Sequence, residues 1–157
     1  MATRTMTKQE LAADLAERMM RVFKLTKREL RVQLDELGLT LPQATVLRGL
    51  GAAGGRTSSG ELCRECDMLA STATGVFDRL EQQGFIKRER DSEDRRVVWV
   101  ELTKSGAALQ ARMPTWQEQT AKAFSHLSAD ELRSLDDAFR RVAEELERKE
   151  GRDARNH

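Results

Sequence analysis

Proline, cysteine and histidine occur only twice each in 157 residues, and aromatic side chains make up 4% of the chain. Beside 34% charged residues, these scarcities suit a helical protein with wet surfaces. Two cysteines, Cys63 and Cys66, are too few for a disulfide framework, and in a reducing compartment they stay thiols. No second C-x-x-C and no nearby histidine completes a four-ligand set, so no structural zinc is expected. His126 and His157 belong to no visible Ser/His/acid arrangement, and His126 near a helix end suits a surface or capping role. The chain has no P-loop and no H-E-x-x-H, so neither an enzyme site nor a metal or cofactor is expected. No window approaches the roughly 18 apolar residues of a membrane span, and MATRTMTKQE lacks the apolar core of a secretory signal. The expectation is a cytoplasmic protein without membrane association. Charge of either sign is also not in excess. Lys and Arg number 27 against 26 Asp and Glu, so any footprint for nucleic acid must be local.

What is present is helical periodicity. Leu11, Leu15, Met19, Val22, Leu30, Leu34 and Leu37 predict a helix over Thr7 to Leu37, closed by Gly38. "TLPQ" opens a second: Thr40 caps it, Gln43 reaches back, and Pro42 sits in the first turn where its missing N–H costs nothing. Its apolar side, Ala44, Val46, Leu47 and Leu50, ends before "GAAGG". Ser58 with Glu61 predicts a capping box for a short helix through Leu62, Cys63 and Cys66. After a turn near Asp67 to Ala70, "STATGVFDRLEQQGF" is helical again, with Val76, Phe77 and Leu80 as its apolar edge and Gly84-Phe85 as its stop. Two strands follow, Ile86–Arg90 and Val97–Leu102, joined by a polar tip from Asp91 to Arg95. Thr103 opens a long helix to about His126, which Pro114 bends or breaks. Ser128 with Glu131 opens the last helix, whose seam is Leu132, Leu135, Phe139, Val142 and Leu146. "RKEGRDARNH" reads as a frayed tail.

Two short helices joined by a tight turn and followed by a hairpin make a winged helix-turn-helix. The fold class is therefore mainly α with a small β-hairpin. A reading head over residues 39–103 lies between long helices at 1–38 and 104–150, with a flexible tail at 151–157. In such a head the second helix enters the major groove with its N-terminal residues on base edges. Here those are Ser71, Thr72 and Thr74, small hydroxyl residues that suit close approach; Gly75 adds no bulk and Arg79 lies further along. The hairpin carries Lys87, Arg88, Arg90, Arg95 and Arg96 against Glu89, Asp91, Glu93 and Asp94. Read alone, this is a solvated tip with local ion pairs. Its place after a helix-turn-helix raises the reading that its cations reach DNA, where an arginine suits a narrow minor groove. The seams of the long helices are longer than a three-helix head can cover, which favours a second copy of the chain as their partner.

From about Leu39 to Gly106 the chain resembles the multiple antibiotic resistance regulator (MarR) family. "STATGVFDRLEQQGFIKRERDSEDRRVVWVELTKSG" is similar to that family's recognition helix and wing, and "DSEDRR…LTKSG" is the most specific part. The resemblance implies a homodimeric repressor on a pseudopalindromic site in double-stranded DNA, released by a small, often phenolic or aromatic, effector. It implies that Ser71, Thr72, Thr74 and Gly75 face the groove, that Arg95 and Arg96 are the wing arginines, and that Asp94 orients one of them. Leu69 stands where the family often has a polar cap, and Gly75 where a longer side chain is common.

Cys63 and Cys66 share a helix face, so a redox or metal switch is one reading. Packing between the helices of the head is preferred, because the matching family positions are usually alanine-like and leucine-like. Family members that sense peroxide use a cysteine in the first helix, and this chain has none there. Phe23, Met113 and Trp116 are candidates for an effector cavity, with plain core packing as the competing use of each. Two alternatives remain: a regulator of the same fold that senses through Cys63 and Cys66, and a helical interaction protein without DNA binding.

Overall fold

The structure, a computed structural model, describes residues 6–153. His157 and the last four residues of the expected tail lie outside the described residues. The chain divides after Trp116 into two compact units.

The first unit opens with α1 (Lys8–Glu36), where Thr7 and Glu10 cap each other reciprocally. Only the C-terminal part of α1 is buried: Leu30 and Leu34 enter the core, whereas Leu11, Leu15, Met19, Val22 and Phe23 stay exposed. In α2 (Leu41–Ala52) Thr40 and Gln43 form the expected capping box, with Pro42 in the first turn. The helix runs two residues further than "GAAGG" suggested. Gly49, Gly51 and Gly54 share the G-x-G-x-x-G spacing of a dinucleotide loop. Here it ends a helix instead of joining a strand to one, so the phosphate-binding context is missing.

A strand that the sequence did not predict follows. β1 (Arg56–Ser58) pairs antiparallel with β3 (Val98–Leu102), and β3 pairs with β2 (Ile86–Arg90). The expected hairpin is thus part of a three-stranded sheet in the order β1-β3-β2. Thr57 and Val100, partners in register, are buried, while Arg56, Trp99 and Glu101 lie on the alternate positions. α3 (Ser59–Glu65) takes one half of the predicted capping box. Ser58 accepts from the Glu61 N–H, but the Glu61 carboxylate receives the Thr57 hydroxyl at 2.9 Å instead of returning to Ser58.

α4 (Ala70–Gln82) buries Ala73, Val76, Phe77 and Leu80, the i, i+3, i+4, i+7 stripe of one helix face. Gly84 ends it at φ +73, and Phe85 N–H returns to Leu80 O at 2.9 Å. Gln43 donates to Gln83 at 2.8 Å and so ties the start of α2 to the end of α4. Thr103 caps α5 (Lys104–Gln110), where a Cβ at Gly106 would stand 1.9 Å from Phe85 O. Only glycine allows α5 to meet the start of β2 so closely.

The long helix expected from Thr103 to His126 is two helices. The chain leaves α5 at Ala111, turns through Pro114, and resumes as α6 (Trp116–Phe124). Proline lacks the N–H an unbroken helix needs and disfavours helical geometry in the residue before it. That residue, Met113, turns into the core instead.

The second unit ends in α7 (Ala129–Asp153), opened by the predicted Ser128–Glu131 capping box. The helix continues through residues 148–153, so the first part of the expected frayed tail is helical. Leu132, Phe139, Val142 and Leu146 are exposed. No helix among the described residues is long and apolar enough to cross a membrane.

Candidate nucleic-acid interface

Between α3 and α4 the chain turns in four residues. Cys66 ends α3, Asp67 adopts φ +47, and Met68 N–H bonds Cys63 O at 2.9 Å. This is the left-handed cap usually filled by glycine, built here on aspartate, whose short polar side chain tolerates it. Met68 packs against the core, so the turn delivers α4 at a fixed angle.

The start of α4 is open to solvent. Ser71, Thr72, Thr74 and Gly75 are all exposed, as is Arg79 one turn on. Leu69 is the cap residue, is 76% exposed, and makes no side-chain cap bond. The Thr74 hydroxyl donates to Ala70 O at 3.0 Å, which leaves its oxygen lone pairs as acceptors facing out. A Cβ added at Gly75 meets no atom within 4 Å, so its smallness answers no need of the head itself.

The five basic residues of the hairpin divide by partner. Arg88, grouped with the DNA contacts on sequence, is turned inward. Its Nη2 lies 2.6 Å from Glu81 and 2.7 Å from Asp78, and its Nε and backbone N–H both reach Glu81 at 3.0 Å. The Arg88 hydrogen bonds hold Glu81 below the usual carboxylate range, and Glu81 in turn raises the guanidinium. Arg88 is thus a clamp from β2 onto α4, its Nε and Nη2 engaged by the two acids. Lys87 pairs with Glu101 at 3.2 Å. Arg90, Arg95 and Arg96 are exposed, and no hydrogen bond or ion pair of their guanidinium groups occurs among the described residues.

The tip itself is organised by Asp91, which the sequence alone does not set apart from the other three acids of the hairpin. Asp91 Oδ1 accepts the N–H groups of Glu93 and Asp94 at 2.8 and 2.9 Å, and Oδ2 accepts Trp99 Nε1 at 2.8 Å. The indole bond, then the two backbone bonds, hold its carboxyl below the ordinary aspartate range. Asp94, expected to orient an arginine side chain, instead accepts the backbone N–H of Arg96 at 2.9 Å. It shapes the turn beneath the arginine and leaves the guanidinium unpaired.

The cysteines come to lie in different surroundings. Cys63 borders a cavity of about 340 Å³ with Ser59, Gly60, Thr74, Phe77 and Arg88. Cys66 borders one of about 750 Å³ with Gly49, Arg56, Glu61, Leu62 and Trp99. Burial raises both thiols, that of Cys66 with help from Cys63 and Glu65, so neither is an activated thiolate. Among the described residues no cluster of His, Cys, Asp or Glu could hold a metal ion. Of the other pocket candidates, Met113 is buried in the core, and Phe23 meets Trp116 at 4.9 Å between ring centroids. They line neither of these two cavities.

The chain is similar in sequence and fold to known proteins. A sequence profile of the MarR family matches residues 37–97. The organic hydroperoxide resistance transcriptional regulator of Bacillus subtilis is 32% identical over 116 residues, 74% of this chain and 78% of its own. An HTH-type transcriptional repressor of Mycobacterium bovis is 30% identical over 135 residues, covering 85% of this chain and 94% of its own. A crystal structure of a mutant MarR from E. coli complexed with operator DNA superposes with a TM-score of 0.66 at 25% identity, over 87% of this chain and 99% of that one.

Proposed function

The chain belongs to the MarR family of DNA-binding transcriptional regulators, and from that premise we propose that it is a homodimeric repressor of a pseudopalindromic operator. One observation carries the reading. Arg95 and Arg96 stand exposed, their guanidinium groups without hydrogen bond or ion pair among the described residues, on a tip that Asp91 and Asp94 shape, in a head whose reading helix opens with exposed hydroxyls. The α4 hydroxyls face base edges and phosphates of the major groove, and the wing arginines enter the flanking minor groove. Arg79 and Arg90 serve phosphates; Arg88 positions the hairpin and leaves DNA to its neighbours.

A palindrome needs two heads about 34–36 Å apart. The exposed apolar residues of α1 and of α7 supply surface for a second copy of the chain. Release by a small effector belongs to the same reading. The cavity of about 340 Å³ between α3, α4 and Arg88 has the size of a small-ligand site and touches Thr74 on the reading helix. A ligand bound there shifts the equilibrium only by its preference for a head unfit for the groove.

The test is a gel shift with DNA from immediately upstream of the chain's own coding sequence, beside a solution mass measurement. The reading expects a dimer that retards one fragment at nanomolar concentration and releases it steeply as salt rises. A monomer, or retardation equal on any sequence, would contradict it.

A further inference from the structure

Trp99 is held from three directions. Arg56, from β1, lies over its ring with the guanidinium carbon 5.0 Å from the centroid. Its register partners are Ser58 on one side and Glu89 on the other. Its Nε1 donates to Asp91 Oδ2, and the other oxygen of that carboxylate holds the backbone of Glu93 and Asp94. Asp91 N–H bonds Val97 O at 3.0 Å and closes the base of the tip. From Arg56 to the arginines, the contacts run through one indole and one carboxylate.

Two further bonds close the turn, Val97 N–H to Asp94 O and Arg96 N–H to Asp94 Oδ1, each at 2.9 Å, and neither reaches a side chain of the sheet. Ser92 to Arg96 are exposed, so the tip has no buried apolar side chain to fix it. We propose that Trp99 is the positioning residue of the wing, locking Asp91 so that the turn presents Arg95 and Arg96 in one arrangement before DNA arrives. The proposal rests on the wing contact argued above. Its physical basis is preorganisation: a turn already ordered gives up less freedom on binding. Tryptophan suits the task because its indole offers a flat face to Arg56 and a single N–H donor that cannot accept in its place. Arg56, which carries no ion pair among the described residues, lies over the ring.

Trp99→Phe keeps a smaller aromatic ring beneath Arg56 and removes the N–H donor, so it breaks this bond, and the four-way comparison separates that loss from the loss of ring area. Operator affinity is measured at low salt for the wild type, Trp99→Phe, Arg95→Ala/Arg96→Ala, and the triple variant. Melting curves and solution mass serve as controls for folding. The expected result is a loss of about tenfold from Trp99→Phe in the wild-type background and none in the variant without wing arginines. Equal losses in both backgrounds would mark general damage and overturn the proposal, as would wild-type binding by Trp99→Phe. Wild-type binding by Arg95→Ala/Arg96→Ala would sink the wing reading itself, and the proposal with it. Should Trp99→Phe melt early, Asp91→Asn, which weakens the other end of the same bond, takes its place in the same four-way comparison.

Discussion

Arg88 Nη2 and Glu81 Oε2 lie 2.6 Å apart, so one of the cations that the sequence offered to DNA is already bound within the head. The near-neutral charge run of the hairpin sorts into two classes by this geometry. Arg88 and Lys87 are neutralised by α4 and β3, while Arg90, Arg95 and Arg96 remain outside. Arg88→Ala leaves Asp78 and Glu81 facing each other without their cation. Water reaches both acids, so the loss is about 1 kcal/mol, toward the low end for a charged hydrogen-bonded group. The melting temperature falls by roughly 2–4 °C. Operator affinity at a temperature where the head is folded changes by less than about threefold. A tenfold loss of affinity without loss of stability would return Arg88 to the DNA contacts.

Gly75 sits inside a helix, where glycine costs about 0.5–1 kcal/mol relative to alanine. Its added Cβ meets nothing in the free protein. Gly75→Ala therefore raises the melting temperature and, by adding a methyl group at the groove-facing surface, lowers operator affinity. Thermal melting and gel shift on one preparation show whether the two effects part in this way. A variant both more stable and tighter on DNA would contradict the placement of Gly75.

Asp91 is depressed in the folded chain, first by the Trp99 bond and then by the backbone N–H groups of Asp94 and Glu93. A depressed carboxyl contributes order that is fully present above its unfolded pKa and is lost as pH falls through its folded pKa. Arg56 faces it from β1 and acts in the same direction; Glu93 and Asp94 lie in the turn, and Glu89 and Arg90 precede it on β2. In a Trp116→Phe background Trp99 is the sole indole. Its emission is expected to hold steady from neutral pH down through the ordinary aspartate range and to change only below it. A transition centred at or above the ordinary aspartate value would show that the bond does not form.

Both thiols are raised by burial, so at neutral pH they react with a disulfide reagent more slowly than a free cysteine does. Serine at both positions leaves operator binding in peroxide indistinguishable from that of the parent chain. A response to peroxide that vanishes in the double serine variant would favour the sensing alternative.

The caps and the order of elements were legible in the sequence because they are local. Thr40 with Gln43 and Ser128 with Glu131 each act within three residues, and the structure repeats both. What stayed hidden depends on pairing across distance. β1 is three residues long, too short for alternation to appear, and exists through its register with Trp99 to Glu101. The inward turn of Arg88 depends on acids seven and ten residues away on another element. Asp91 and Asp94 looked alike as letters. Only the closure of the hairpin gave one the indole and two backbone N–H groups, and the other a single backbone bond beneath Arg96. Pro114 permits either a bend or a break by sequence, and the gap between Gln110 and Trp116 makes it a break.

If Arg95 and Arg96 grip DNA as free cations, they set the salt dependence of binding. The most direct measurement is that dependence on the upstream fragment, for the wild type and for Arg95→Ala/Arg96→Ala. Each arginine in contact with the backbone potential displaces about one counterion. The expected slope of log affinity against log salt is shallower in the variant by about two per head, about four per dimer, with weaker binding and an unchanged melting temperature. An unchanged slope with unchanged affinity would contradict this grip.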